Sequence, residues 1–113
     1  MITIEKLNSF GANTTEGLSR CFNKEDLYLK LVATIPSQEH FDKLVEAVDN
    51  GDLKEGFQAA HALKGVLGNL SLSPLYEKVC DITELLRVET DTDYAPLLEE
   101  ITTLRNELKA LCD

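Results

Sequence analysis

Residues that interrupt regular structure are scarce in this chain. Its 113 residues include only 3 prolines and 6 glycines, and there is no tryptophan. A low content of Gly and Pro, with Leu, Glu, Lys and Ala abundant, is typical of a folded helical protein and argues against disorder. A chain of this length forms one domain around a single hydrophobic core. We therefore expect one helical domain, without repeats or linkers.

The chain also lacks the features of secreted and membrane proteins. Its three cysteines, Cys21, Cys80 and Cys112, are odd in number and far apart, so they predict neither a disulfide framework nor a CxxC pair. No apolar run reaches the roughly 20 residues that cross a bilayer, and the start, MITIEKLNSF, lacks the basic and apolar regions of a signal peptide. We expect a cytoplasmic protein with no membrane partner and with reduced, mostly buried cysteines.

Positive charge is scarce as well. The chain has 11 Lys and Arg residues against 20 Asp and Glu residues, which gives a formal net charge of −9. Proteins bind nucleic acid largely by neutralising phosphates with Lys and Arg, so nucleic acid is excluded as a partner. We expect a protein partner instead. A function that involves an anionic group needs a local group of cations against this acidic background.

Hydrophobic periodicity and capping residues predict only helices, with no alternating strand pattern. The first three predicted helices run from residue 3 to a stop at Gly11, from Asn13 or Thr14 to about Asn23, and from Asn23 and Asp26 to before Pro36. The fourth runs from a cap at Ser37 to a stop at Asn50-Gly51, and the fifth from a cap at Asp52 with Glu55 to about Leu70. The last two run from Ser73, with Pro74 at the first helical position, to about Val88, and from the turn ETDTD to Leu111. The fold class is therefore all-α. Short connections favour antiparallel neighbours in a helix bundle.

The helix predicted from Asp52 to Leu70 contains three glycines, Gly56, Gly65 and Gly68. Each costs about 0.5 to 1 kcal/mol relative to Ala in a helix interior, so another requirement must favour glycine there. At about 100° per residue, one broad face of this helix is apolar and packs into the bundle. Gly56 falls on that face, where we expect it to let another helix approach closely.

His61 lies at the centre of the opposite face and is expected to point to solvent. Gly65 and Gly68 follow it at i+4 and i+7, which leaves one side of the imidazole accessible to a large partner. Lys64, at i+3, adds positive charge that would stabilise an anion on the ring. The remaining residues on or beside this face are Lys54, Phe57 and Gln58.

An exposed imidazole beside a cation suits phosphoryl transfer. A neutral imidazole is a good nucleophile at cellular pH, and a phosphoryl group on it keeps a high transfer potential. Such transfer depends mainly on positioning and electrostatics, which a partner protein can supply. The sequence therefore favours His61 as a residue that relays a phosphoryl group.

The stretch AHALKG at residues 60–65, followed by Asn69, Leu70 and Leu75, resembles the signature of histidine-containing phosphotransfer (HPt) domains of two-component phosphorelay signalling. The resemblance covers residues 18 to 111. It departs from the family pattern at Ser71, where glycine is common, and at Gly68, where Ala or Ser is usual. Ser71 bears on the geometry of the turn after the helix, and Gly68 widens the strip cleared of side chains.

The resemblance implies a single HPt-like domain over residues 1–113. Its fold would be an antiparallel four-helix bundle over residues 17–112, with additional N-terminal helical structure in residues 1–16. His61 would be the phosphorylated residue, Lys64 the stabilising charge and Gly65 the clearance for a docking partner. Further contacts with the partner would come from Gly68, Gln58, Phe57 and Lys54.

The resemblance also implies the partners. They would be receiver domains of response regulators or hybrid kinases, whose aspartate and Mg²⁺ supply the catalytic machinery. The domain would then be a phosphoryl carrier, not an enzyme, with no metal or other cofactor of its own, and it is expected to be a monomer. A start at Met1 favours a free-standing protein over a piece of a larger kinase.

Several alternatives remain open at the level of sequence. The same face of the helix could bind a receiver or helical partner without chemistry, or His61 could be phosphorylated by a kinase catalytic domain on another chain. Phe57 suits either the core or a docking contact, Gln58 either the partner or the ring, and Lys54 a solvated surface. The other histidine, His40, has no adjacent lysine or glycine and is expected at the surface, and the two histidines lack metal-ligand spacing.

Overall fold

The computed structural model describes all 113 residues as seven α-helices and one 3-10 turn, with no strand. The all-α fold class predicted from the sequence is confirmed. The helices are α1 (Ile4–Phe10), α2 (Thr14–Arg20), α3 (Glu25–Ala33), α4 (Glu39–Asp49), α5 (Leu53–Asn69), α6 (Ser73–Arg87) and α7 (Ala95–Cys112), and the 3-10 turn is Ile35–Ser37. None of the helices is both long and apolar enough to span a lipid bilayer.

The four longest helices, α4 to α7, form an antiparallel bundle. The connections at residues 50–52 and 70–72 are too short for anything but a reversal of direction, so α5 packs between α4 and α6. A longer connection at residues 88–94 brings α7 against α6. This arrangement leaves one face of α5 turned outward between its two neighbours.

Leucine burial holds the bundle together. The side chains that are fully or almost fully removed from solvent come from all four helices and include Leu44, Leu63, Leu67, Leu75, Val79, Ile82, Leu86 and Leu108. Each such side chain contributes about 1.5 to 3 kcal/mol relative to an exposed position. Helix α5 contributes Ala60, Leu63 and Leu67, at i, i+3 and i+7, to this core, so the opposite face of the helix is turned outward.

The three short N-terminal helices pack against the end of the bundle where α5 turns into α6. The Tyr28 hydroxyl donates to the carbonyl oxygen of Leu70 at 2.9 Å, and the backbone N–H of Asn13 donates to Ser71 at 2.9 Å. A methyl group built on Gly11 would lie 2.9 Å from the ring of Pro74. These contacts attach the N-terminal helices to the turn after α5. The division of the domain between residues 16 and 17 stays a prediction.

Two of the predicted polar caps are confirmed: Asn13 accepts from the N–H of Glu16 at 3.2 Å, and Asp52 accepts from the N–H of Glu55 at 3.1 Å. Thr3, where the first helix was predicted to begin, also caps α1 by accepting from the N–H of Lys6 at 3.1 Å. The predicted stops at Gly11 and Gly51 are confirmed too, since their φ angles of 105° and 75° are in the left-handed region that glycine adopts easily. Local sequence signals therefore locate the end of α4 and the start of α5.

Two predicted caps are wrong. Ser37 does not begin α4, because it closes the 3-10 turn that contains Pro36; Gln38 precedes α4 and makes no side-chain cap. Asn23 does not begin α3 either, because its φ of 56° is left-handed and its N–H is bonded to Leu18 at 2.7 Å. Asn23 therefore ends the turn after α2, and α3 begins two residues later.

Candidate functional site

His61 lies on the outward face of α5. Its neighbours on the inward side, Ala60 and Leu63, are completely buried, and the His61 side chain itself is exposed. The orientation follows from helix geometry, because burial of the apolar stripe turns the opposite face to solvent. The position predicted from the helical periodicity is therefore the position in the structure.

The ring of Phe57 stacks on the imidazole of His61. The ring centroids are 5.7 Å apart and the planes differ by 21°. Phe57 is itself half-buried and packed against the bundle core. The sequence left Phe57 open between core and docking contact; the structure shows contact with both the core and the histidine. A ring that is held on one side by a packed aromatic side chain presents its other side to a partner.

A shallow pocket of about 320 Å³ opens beside His61. It is lined by Arg20, His61, Lys64, Gly65, Gly68, Asn69 and Tyr76. Four of the residues predicted for the site, His61, Lys64, Gly65 and Gly68, thus come together here. None of the other three lines this pocket. Phe57 stacks on the His61 ring, and Lys54 and Gln58 are exposed nearer the start of α5.

Gly65 and Gly68 have different surroundings. A methyl group built on Gly65 would meet no atom within 4 Å, so nothing inside the protein requires glycine there. A methyl group built on Gly68 would lie 2.9 Å from Cε1 of Tyr76, so this glycine makes room for a ring of α6. The strip beside His61 is therefore open at Gly65, whereas Tyr76 fills the space over Gly68.

The third glycine of α5, Gly56, faces the core as expected. A methyl group there would lie 3.4 Å from Val48 and 3.5 Å from Leu86, which are ordinary packing distances. Helices α4 and α6 do come close to α5 at Gly56, but the space there would still accommodate the side chain of an alanine.

Arg20, at the end of α2, is a residue of the pocket that the sequence analysis missed. One Nη atom donates to the carbonyl oxygen of Gly68, and the other lies 2.7 Å from the carboxylate of Glu16. Because 48 residues separate Arg20 from Gly68, no local pattern could place them together. The only sequence signal was a lone arginine at the end of a predicted helix.

Tyr76 is the second residue of the pocket that the sequence analysis missed. Hydrogen bonding with the thiol of Cys80 raises the pKa of the Tyr76 hydroxyl, the charge of Cys80 and burial raise it further, and the guanidinium of Arg20 lowers it. With a raised pKa, Tyr76 keeps its proton at cellular pH and brings no negative charge to the pocket.

The turn after α5 is built around Ser71. The N–H of Leu72 donates to Leu67, and the N–H of Ser71 donates to Gly68, both at 3.1 Å. This pair of bonds is the Schellman motif, whose left-handed residue is usually glycine. Ser71 takes that place with a φ of 54°, and its buried hydroxyl has no hydrogen-bond partner. The departure at Ser71 thus changes the side chain at the turn and leaves the turn geometry typical.

Three cavities are larger than this pocket: two, of about 630 and 480 Å³, lie mainly between α4 and α7, and one, of about 490 Å³, lies between α6 and α7. None of the three is lined by a histidine or a cysteine. Nowhere do three His, Cys, Asp or Glu side chains come together as metal ligands. Size alone therefore does not mark the site. The nucleophile, the cations and the open strip all lie beside His61.

A comparison with protein families matches residues 36–113 to the family model described as Hpt domain. The matched segment begins in the 3-10 turn and includes all four helices of the bundle. Helices α1 to α3, and Arg20 with them, lie outside it. Comparison with curated proteins gives no significant match, and neither does comparison with solved structures.

Proposed function

Because this chain belongs to the Hpt domain family, we propose that it is a phosphorelay intermediate in which His61 receives a phosphoryl group from one receiver domain and passes it to another. Hpt domains are phosphocarrier modules of two-component signalling, and they interact with receiver domains. The observation that carries the proposal is the exposed His61 beside Lys64 and Gly65, with no atom of the chain over Gly65.

The transfer requires only a nucleophile on this chain. The lone pair of an unprotonated imidazole nitrogen of His61 forms a bond to phosphorus, and the bond from phosphorus to the aspartyl oxygen breaks. The aspartate leaves as a carboxylate with the electron pair, and the same step in reverse passes the phosphoryl group on. Phe57 supports one side of the ring, so the nucleophile is held in place before the partner arrives.

The partner contributes the rest of the chemistry. The receiver brings its aspartate and Mg²⁺, so this chain needs no metal or other cofactor of its own and is a substrate and donor, not an independent enzyme. Lys64 stabilises the charge of the phosphoryl group in this scheme. Gly65 gives the receiver's backbone room to approach the imidazole, and Lys54 and Gln58 extend the contact along α5.

A second function uses the same surface without chemistry. The open strip at Gly65 would equally suit an interaction module that binds a receiver or another helical protein. Such a module would bind its partner with unchanged affinity after replacement of His61 by Ala and would take up no phosphoryl group. The two functions therefore differ in a single measurable property, a covalent phosphoryl group on His61.

Incubation with a receiver domain that carries radioactive phosphate on its aspartate tests the proposal. We expect an acid-labile label on the wild-type chain and none on His61→Gln, because the imidazole of His61 is the nitrogen nucleophile of the proposed transfer. His40→Gln is the matched control, since it removes the other histidine and should keep the label. Label retained by His61→Gln would rule out the proposed acceptor.

A further inference from the structure

Arg20 joins the site from a part of the chain that the family match leaves out. Helix α2 lies outside residues 36–113, yet its last residue lines the pocket with His61 and Lys64. The bond from Arg20 to the carbonyl oxygen of Gly68 holds the guanidinium against α5. The side chain is 48% exposed, so it is anchored and still accessible to a ligand in the pocket.

The guanidinium retains donors for such a ligand. Arginine has five N–H donors in a planar fork. Arg20 uses one toward Gly68 and one toward Glu16. Three donors therefore remain for the oxygens of an anion, and Arg20 need not give up its present partners to bind one.

The charge around His61 is opposite to that of the whole protein. The seven residues that line the pocket include two cations, Arg20 and Lys64, and no Asp or Glu, although the chain has a net charge of −9. The carboxylate of Glu16 lies outside this lining, 2.7 Å from Arg20, and its other oxygen accepts from the side chain of Asn13. A dianionic phosphoryl group on His61 would face this pair of cations with Tyr76 neutral beside it.

We propose that Arg20 binds the phosphoryl group carried by His61 and forms, with Lys64, the two-cation side of the phosphotransfer site. This proposal rests on the proposed function. The N-terminal helices then have a direct part in phosphotransfer, because α2 supplies a cation that the four-helix bundle lacks at this position.

The test uses phosphoramidate, a small donor that phosphorylates histidine, on the full chain and needs no partner protein. ³¹P NMR then follows the ionisation of the phosphoryl group on His61 against pH. A nearby cation favours the dianion and lowers the pKa of the phosphoryl group. In Arg20→Gln we expect that pKa to rise by about 0.3 to 1 pH unit, which corresponds to a two- to tenfold loss of preference for the dianion. Arg20→Lys should restore most of the difference.

Glu16→Gln separates the charge of Arg20 from its structural role. Arg20→Gln and Glu16→Gln both remove the ion pair within α2, but only the first removes the cation. We expect Glu16→Gln to keep the phosphoryl pKa at the wild-type value or lower it, because it frees the guanidinium. A second measurement uses the wild type alone and so does not depend on the folding of any variant. The NMR signal of the Arg20 side chain should shift when His61 is phosphorylated.

The outcomes are distinct. A phosphoryl pKa that is unchanged in Arg20→Gln, or that rises equally in Glu16→Gln, overturns the role of Arg20 while the proposed function stands. An NMR signal of Arg20 that does not shift when His61 is phosphorylated would also overturn the role of Arg20 and leave the proposed function standing. If His61 takes no label from phosphoramidate or from a phosphorylated receiver, the proposed function itself fails, and the proposal for Arg20 fails with it.

Discussion

Ser71 occupies a backbone conformation that suits glycine better. Its φ of 54° places it in the left-handed region, and its buried Oγ has no hydrogen-bond partner. The conformation costs a residue with a side chain about 1 to 2 kcal/mol, and the unpaired hydroxyl adds to that cost. Glycine loses more chain entropy on folding, which offsets part of the gain.

We predict that Ser71→Gly raises the free energy of unfolding by about 1 kcal/mol. Glycine removes both the strained φ and the unpaired hydroxyl while keeping the backbone bonds of the turn. Urea denaturation measures the change. Ser19→Gly is the control: it makes the same substitution at an exposed position inside α2, where glycine should lower stability by about 0.5 kcal/mol. Equal effects at both sites would contradict the explanation from φ.

Some residues of the site could be placed from the sequence, and others could be placed only from the folded structure. His61, Lys64, Gly65 and Gly68 share one helix, so the periodicity of 3.6 residues was enough to place them on one face. Arg20 and Tyr76 reach the pocket from other helices, and their positions depend on how α2 and α6 pack on α5. Tertiary packing of that kind leaves no pattern in a single sequence.

At the scale of the helix, substitution of Gly65 in α5 should change stability and phosphotransfer in opposite directions. Gly65→Ala should raise the free energy of unfolding by about 0.5 to 1 kcal/mol, because Ala is the better helix former and the space around Gly65 is empty. The same methyl group would stand where the receiver approaches, so we expect phosphotransfer to slow about tenfold or more. Thermal unfolding and the rate of label transfer measure the two effects.

Gly56→Ala is the matched control for Gly65→Ala. It adds a methyl group to the buried face of the same helix at ordinary packing distances and should leave phosphotransfer unchanged. If Gly65→Ala transfers label as fast as Gly56→Ala does, clearance at Gly65 has no part in docking.

Gly68→Ala should have the opposite effect on stability. Its methyl group would overlap the ring of Tyr76 at 2.9 Å, so the ring must move or the helix must shift. We expect a loss of about 1 to 3 kcal/mol, as for other overpacked sites. Chemical denaturation of Gly68→Ala and of the double variant with Tyr76→Ala tests this contact, since the smaller side chain should make Gly68→Ala neutral or stabilising.

Helix boundaries were predictable where one local interaction determines them. Asp52 with Glu55 begins α5, and the left-handed Gly51 ends the preceding helix, because both signals act within a few residues. The start of α4 was predicted wrongly because two local signals competed. Ser37 is a good cap by composition, but Pro36 just before it favours a 3-10 turn that uses the backbone of Ser37.

At the scale of the whole molecule, Tyr28 connects the N-terminal helices to the bundle. Its ring fills the space over Gly17 of α2, where a methyl group would lie only 2.5 Å from Cε1. Its hydroxyl donates to Leu70 at the end of α5. Burial raises the pKa of Tyr28 to about 12, with a smaller contribution from the charge of Cys21. Tyr28 thus fixes the position of α2, and of Arg20 with it, relative to His61.

A raised pKa in the folded state has a definite consequence for stability. The pKa of Tyr28 is about 12 when folded and near its ordinary value of 10.0 when unfolded. The unfolded chain therefore loses this proton first as the pH rises. The contribution of Tyr28 is fully present below pH 10 and is lost progressively as the pH rises from about 10 to about 12.

We predict that Tyr28→Phe lowers the free energy of unfolding by about 1 kcal/mol near pH 7, because the carbonyl of Leu70 loses its side-chain donor. The pKa values of Tyr76 and Tyr94 are also raised. The wild type and Tyr28→Phe should therefore both lose stability at high pH. The decisive quantity is the difference between wild type and Tyr28→Phe, which should shrink above pH 10 as the wild type alone loses the Tyr28 contribution. Denaturation measured at several pH values gives this difference, and a constant value from pH 8 to 12 would show that Tyr28 titrates alike in the folded and unfolded chain.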